Sequence, residues 1–284
     1  MTVAPARVFG IRARDGKSAV LFRRGPSKLT QLLSWDLKTD LIVPGQWLKL
    51  AVYPHRSDLS PDGRHLIYFA ASHMGGDASN WTAISRPPCW TALHFYGQFH
   101  AWNGGGLFLD NKRYWPDLGT GSNMTKKVPC GLTRAANPPG FFKPGKGEDT
   151  VVYLPRLERD GWMRVEHDHV SDSYGGTSKW LFQRDIGKGW SLRKRFTASG
   201  RHRGPNNEIY WENHILVGPF GEITLDDEWA EVDRKSVIYA SKGRLFRLPV
   251  NKEGPADAIQ IADLNPNRLA QVIAPYSGLK RVKS

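Results

Sequence analysis

SDLSPDGRHLIYFAAS (57–72) is the stretch on which the reading of the chain turns. Residues 60–63 form a turn: Pro61 presets φ, the Asp62 side chain bonds back to the backbone, and Gly63 tolerates positive φ. Residues 65–69 then form a β-rich run. The same order returns in ARDGKSAVLF (13–22), KGEDTVVYL (146–154) and EVDRKSVIYA (231–240). Each has an aspartate-bearing turn, a short polar step and three or four β-branched, Leu or aromatic residues. The aspartates are Asp15, Asp62, Asp149 and Asp233, spaced by 47, 87 and 84 residues. The two longer gaps are each close to twice ~43, and turns near Gly105 and Gly189 divide them. About six units of roughly 40–45 residues result, the length of a propeller blade.

A second run often follows the first, as WTAISRPP follows LIYFAAS and ASKGRLFRLPV follows SVIYA, which predicts a hairpin of middle strands in each unit. On these residues the chain resembles the WD40 and TolB-type β-propeller superfamily, whose blades often carry an S-P-D-G-x-x-[LIV] turn and strand. The match runs through Ser60 to Ile67, more weakly through Ala13 to Val20, and partially at Glu148 to Val152 and Asp233 to Ile238. The resemblance implies an all-β fold: one β-propeller domain over 1–284, of about five to six four-stranded antiparallel blades. VFGIRA (8–13) and AIQIADL (258–264) are expected to close the ring by sharing a blade. RLAQVIAPY (268–276) is the nearest approach to an amphipathic helix, and it contains a proline.

Composition agrees. The 284 residues are 40% hydrophobic and 24% charged, with 11 Trp, 29 Gly and 19 Pro, a balance that favours turn-punctuated aromatic strands and argues against disorder. No run approaches the ~20 apolar residues of a membrane helix. The first twenty residues carry no apolar run of signal-peptide length, since Arg7, Arg12 and Arg14 interrupt it. Cys89 and Cys130 lack metal or disulfide spacing and are expected as reduced thiols in a cytoplasmic protein, where the sequons at Asn80 and Asn123 have no role.

The formal charge of +13 favours encounter with anions: acidic protein faces, nucleic acid or anionic lipid. It is unevenly distributed. Residues 112–147, expected as an irregular basic loop insertion on one rim of the propeller, hold seven Lys or Arg and one acid, and 186–205 hold six Lys or Arg and no acid, whereas 222–233 hold six acids and no base. Two readings of these runs stand open: neutralisation between neighbouring blades, or a basic binding patch. The candidate binding residues are Arg86, Trp102, Lys126, Lys127, Arg193, Lys194, Arg195, Arg201 and Arg203. Arg86 and Trp102 come from the aromatic stretch 80–106, where Trp81, Trp90, Phe95, Tyr96 and Phe99 are expected mainly as packing between blades.

Catalytic signatures are weak. GFFKPGKG (140–147) lacks the Ser or Thr that a phosphate loop needs for Mg²⁺, and Pro144 removes a cradling N–H. His167, Asp168, His169 and Asp172 are metal-capable but read as a solvated loop. Ser277 lacks the glycine of a nucleophile elbow. Asp58, Asp110 and Glu212 fall near expected strand starts, as the carboxylates of a propeller glycosidase would. The sequence therefore predicts a non-catalytic module without metal or cofactor. It would dock an acidic protein or, through the same patch, nucleic acid, as a monomer or in a hetero-complex. A sugar-hydrolysing enzyme with an axial pocket is the alternative.

Overall fold

A computed structural model describes residues 4–25, 28–72, 79–140, 147–171 and 176–278. Among the described residues there are five β-sheets and one helix, and the chain divides into two compact units, Met1–Arg156 with Asn267–Ser284, and Leu157–Pro266.

The first unit holds three sheets. Strands β1 (Arg7–Arg12), β2 (Ser18–Arg24), β3 (Leu29–Asp36) and β4 (Ile42–Lys49) form a four-stranded antiparallel meander. Strands β5 (Ala51–Leu59), β6 (Leu66–Ala71), β7 (Asn80–Ser85) and β8 (His94–Gln98) form a second. The short β9 (Gly106–Phe108) and β10 (Arg113–Pro116) start a third sheet. Then β11 (Asn123–Lys127) returns to pair with β8, and β12 (Thr133–Arg134) pairs in parallel with β10. The second unit holds a five-stranded antiparallel meander of β13 (Met163–Val170), β14 (Thr177–Gly187), β15 (Trp190–Ser199), β16 (Tyr210–Gly218) and β17 (Gly221–Thr224). It also holds a four-stranded one of β18 (Trp229–Asp233), β19 (Ser236–Ser241), β20 (Arg244–Pro249) and β21 (Ile259–Asp263).

The opening stretch shows why the first unit needs stacked sheets. All six residues of β6 are buried, so both of its faces are covered. Successive side chains alternate across the strand. Leu66, Tyr68 and Ala70 enter a core with Val20, Phe22 and Leu32 of the first sheet, whereas Ile67 enters another with Phe108 and Tyr114 of the third. Each fully buried large apolar side chain contributes about 1.5–3 kcal/mol. At Gly105 the backbone passes so close to the Arg56 carbonyl that an added Cβ would lie 1.6 Å from it, and its φ of +84° suits glycine.

Three of the four aspartate turns hold the expected place. Asp15, Asp62 and Asp233 lie at the first hairpin of their sheets, joining β1 to β2, β5 to β6 and β18 to β19. Asp15 Oδ1 accepts from the Lys17 N–H, and Asp62 Oδ1 from the Arg64 N–H. The turn at Gly189 joins β14 to β15, and Gly105 immediately precedes β9.

Several local expectations fail: the loop expected around His167, Asp168 and His169 is strand β13, paired with β14. Residues 150–159 form a helix, α1 (Thr150–Arg159), where a strand was expected after Asp149. The Asp149 carbonyl accepts the Tyr153 N–H and Thr150 Oγ1 donates to the Gly147 carbonyl, so this aspartate opens a helix. Burial of Val152, Tyr153, Leu154 and Leu157 overrides the β preference of the two valines. Among the described residues no shared closing blade is found, because β1 pairs with β2 and β21 with β20, each at the edge of a separate sheet. Residues 268–276 adopt no helix. Among the described residues no helix is long and apolar enough to cross a membrane.

Candidate functional site

Alternation along β15 fixes what its basic run can do. Arg193 and Arg195 project from one side and Lys194 from the other. Lys194 is therefore not a rim cation: it is 1% exposed, its ammonium lies 3.0 Å from Glu212 Oε2, and it sits 5.0 Å from the centre of the Trp162 ring. Arg193 is half-buried and bonds Glu222 at 2.9 Å and Gln183 at 3.0 Å. Arg195, Arg201 and Arg203 are exposed and make no ion pair among the described residues.

The acidic run is consumed inside the second unit. Glu222 pairs with Arg193, Asp226 with Lys242 and Asp227 with His214. Glu228 accepts the Lys242 N–H, Glu231 binds Arg184, and Asp233 binds Arg247. Among the described residues the acidic run thus meets only Arg193 of the 186–205 cations, while Lys194 is met by Glu212 of β16.

In the first unit Lys126 and Lys127 lie on the edge strand β11, with Lys127 exposed. Arg86 is half-buried over the Tyr276 ring at 5.6 Å, and its N–H donates to the Tyr276 hydroxyl at 3.0 Å. Trp102 is 70% exposed. The aromatic stretch contributes more through residues not singled out. Trp81, Trp90 and Phe95, with Trp47 and Leu48 of β4, Tyr68 of β6 and residues 269–272, line a recess of about 690 Å³. Gln46 closes its polar end: Nε2 donates to the Val272 carbonyl at 2.8 Å, and Oε1 accepts from the Thr91 N–H at 2.9 Å. No sequence signal marked β4, because Gln46 and Trp47 stand far from Trp81 along the chain and only the sheet packing unites them.

Three polar clusters have chemical potential and a structural use. Glu212 Oε2 lies 3.4 Å from His214 Nε2, and Asp227 Oδ2 lies 2.6 Å from His214 Nδ1, all three at 2% exposure or less. Burial pushes the His214 imidazole down, but Asp227 and Glu212 more than reverse this and hold it above its ordinary value. Such a closed set offers no approach for substrate.

In the first unit, His94 Nδ1 meets the Tyr114 hydroxyl at 2.7 Å and Nε2 meets the Val128 carbonyl at 3.2 Å, with Cys130 Sγ 3.5 Å from Nε2. A carbonyl needs a donor, so Nε2 carries the proton and cannot take one from the thiol. Burial also pushes the Cys130 thiol up and the His94 imidazole down, against nucleophile and base alike.

The third cluster is the buried Arg56. It binds Asp149 Oδ1 at 2.6 Å and also Glu148, while His55 Nδ1 lies 3.3 Å from Asp149 Oδ2, fastening α1 to β5. Burial would raise the Asp149 carboxyl, but His55 and Arg56 hold it below its ordinary value.

The remaining candidates are likewise occupied. Asp58 accepts the Phe108 N–H, and Asp110 accepts from the Lys112 and Arg113 N–H groups in the turn before β10. His167 stacks on Trp180, and both nitrogens of His169 meet hydroxyls, of Ser178 and Ser171. Asp172 and residues 141–146 of the glycine-rich stretch lie outside the described residues, among which no metal-capable cluster occurs.

No family model matches the chain, and no curated protein matches it. Among solved structures it is similar to hydrazine synthase of Kuenenia stuttgartiensis, at 10% identity over 91% of this chain and 87% of that one, with a TM-score of 0.29. The uncharacterized protein lmo1340 of Listeria monocytogenes EGD-e aligns at 10% identity over 94% and 86%, with a TM-score of 0.28. The AtxE2 isopeptidase aligns at 11% identity over 94% of this chain and 53% of that one, with a TM-score of 0.33.

Proposed function

We propose that the chain is a non-catalytic β-sheet module that docks an acidic protein surface through Arg195, Arg201 and Arg203. What supports the reading is the internal use of every acid in 222–233, which leaves these three exposed guanidinium groups without a carboxylate. Guanidinium forks suit carboxylate clusters on a partner, and uncompensated surface charge raises the encounter rate. A docking contact of this kind weakens steeply as salt shortens the Debye length from about 10 Å at 0.1 M to about 3 Å at 1 M.

Capture from native lysate tests it, with nuclease-treated controls, at low and high salt. The expected outcome is an acidic protein retained at low salt and released at high salt, and lost in the R195E/R201E/R203E variant. Capture that resists salt, survives the triple substitution or disappears with nuclease would reject the proposal, the last in favour of nucleic acid.

A further inference from the structure

Residues 99–103, in the connection from β8 to β9, expose two large aromatic side chains: Phe99 is 61% exposed and Trp102 70%. The chain from one to the other spans at most ~11 Å, so both rings belong to one small patch. The backbone behind them is held by buried groups. Asn80 Nδ2 donates to the Phe99 carbonyl at 3.3 Å, and the Arg56 guanidinium donates to the Ala101 carbonyl. Asn103 Nδ2 and the Gly104 N–H both donate to the Asp117 carboxylate, at 3.4 and 3.3 Å. Gly104 is wedged against β6, because a Cβ there would lie 2.1 Å from the Phe69 ring. The Phe99 ring meets His100 edge to face, with 4.8 Å between centres. Two carbonyls of this loop are therefore turned into the protein, while its two large rings face water.

The surroundings are basic. Asn80 starts β7 next to the bond from the Ser72 N–H to the Ser79 carbonyl, and the Lys28 ammonium lies 3.5 Å from the Ser72 carbonyl. Lys49 opposes Leu29 in the pairing of β3 with β4, so it stands beside Lys28 at the same sheet end. Both lysines are exposed. The described acids beside the loop are engaged: Asp117 by Asn103 and Gly104, and Asp149 and Glu148 by Arg56.

We propose that residues 99–103, with Lys28 and Lys49, dock the first unit on an anionic lipid bilayer. Phe99 and Trp102 enter the boundary between headgroups and acyl chains, the level that aromatic rings favour. Entry requires backbone polar groups that already have partners, as the Phe99 and Ala101 carbonyls do. Lys28 and Lys49 meet lipid phosphates and carboxylates, their aliphatic stems lying along the surface. This contact goes beyond the docking of an acidic protein and uses none of Arg195, Arg201 and Arg203.

Co-sedimentation of the full chain with phosphatidylcholine vesicles, plain or carrying about 30% phosphatidylserine, tests the proposal. Binding is expected on the anionic vesicles and should be at least about tenfold weaker on the plain ones. F99A/W102A should weaken it about tenfold or more, and K28Q/K49Q by a similar factor. All four side chains are exposed, and thermal melting confirms that the variants fold. Bromine-labelled acyl chains should quench part of the tryptophan fluorescence, and W102F, which keeps a ring to insert, should remove that quenching. No binding to anionic vesicles, binding that survives F99A/W102A in folded protein, or quenching that persists in W102F would overturn the assignment. Vesicle binding untouched by F99A/W102A while a lysate protein is lost would assign the loop to a protein partner instead.

Discussion

The His214 ring sits between two carboxylates, and the Glu212 oxygen 3.4 Å from it also receives the Lys194 ammonium at 3.0 Å. Because Asp227 and Glu212 hold the folded pKa of His214 above its unfolded value, folding takes up a proton at this site. The resulting stabilisation is fully present below about pH 6.5, the unfolded value, and is lost as pH rises through the raised folded pKa. His214→Gln should therefore cost most stability below about pH 6.5 and progressively less as pH rises above it. Urea unfolding on both sides of that pH, wild type against variant, reads the difference directly, and parallel curves would contradict the coupling. Lys194 belongs to the same set, and its interior position overturns the sequence reading that placed it among the binding cations. Alternation places Lys194 on the face opposite to Arg193 and Arg195. The sequence shows that one face of SLRKRF differs from the other. It does not show that the central lysine finds Glu212, which depends on the pairing of β15 with β16.

The two-residue hairpins carry the most local information. Lys188-Gly189 and Lys242-Gly243 have positive φ at both central positions, the sign pattern of a type I′ turn, which matches the twist of the flanking strands. Between β18 and β19 the loop is Arg234-Lys235, with φ of +56° at Arg234 alone, the sign pattern of type II′. Glycine is favoured at that first position, and an arginine holds it here at a steric cost. Arg234→Gly should raise stability by about 0.5–1 kcal/mol, the strain relieved exceeding the added freedom of the unfolded chain. A differential melt checks it, and a lower Tm would show that the Arg234 side-chain contacts outweigh the strain. Turns of this kind were legible because residues within four positions set them. Helix α1 was not: TVVY has strand preference, and its helical form rests on Arg56 and His55 gripping Asp149 from β5, more than ninety positions away. The shared closing blade was inferred from the strand-like ends alone, and strand propensity does not specify a partner.

At the scale of the chain, the final residues matter through where they return. Asn267–Ser284 belong to the unit formed by Met1–Arg156, although the intervening Leu157–Pro266 form the other. Asn267 Nδ2 donates to Gln31 Oε1 at 2.8 Å, Gln46 donates to the Val272 carbonyl, and the Tyr276 hydroxyl donates to the Thr91 carbonyl at 2.9 Å. Ala274 and Tyr276 also complete a small core with Cys89, Leu93 and Val128. None of this was legible in RLAQVIAPYSG, because its hydrogen-bond partners lie 185 to 226 positions earlier. Truncation after Pro266 removes a buried tyrosine and these bonds together, a loss on the order of 3 kcal/mol to the first unit. The second unit keeps both of its sheets and its internal ion pairs. Hydrogen exchange of the truncated chain should accelerate at residues 84–93, where the Arg86 and Thr91 backbone loses its partner, while β19 and β20 keep their protection. Unchanged exchange at 84–93 would mean that the returning segment lies on the first unit without supporting it. Accelerated exchange there would also reach the recess, because residues 269–272 form one of its walls.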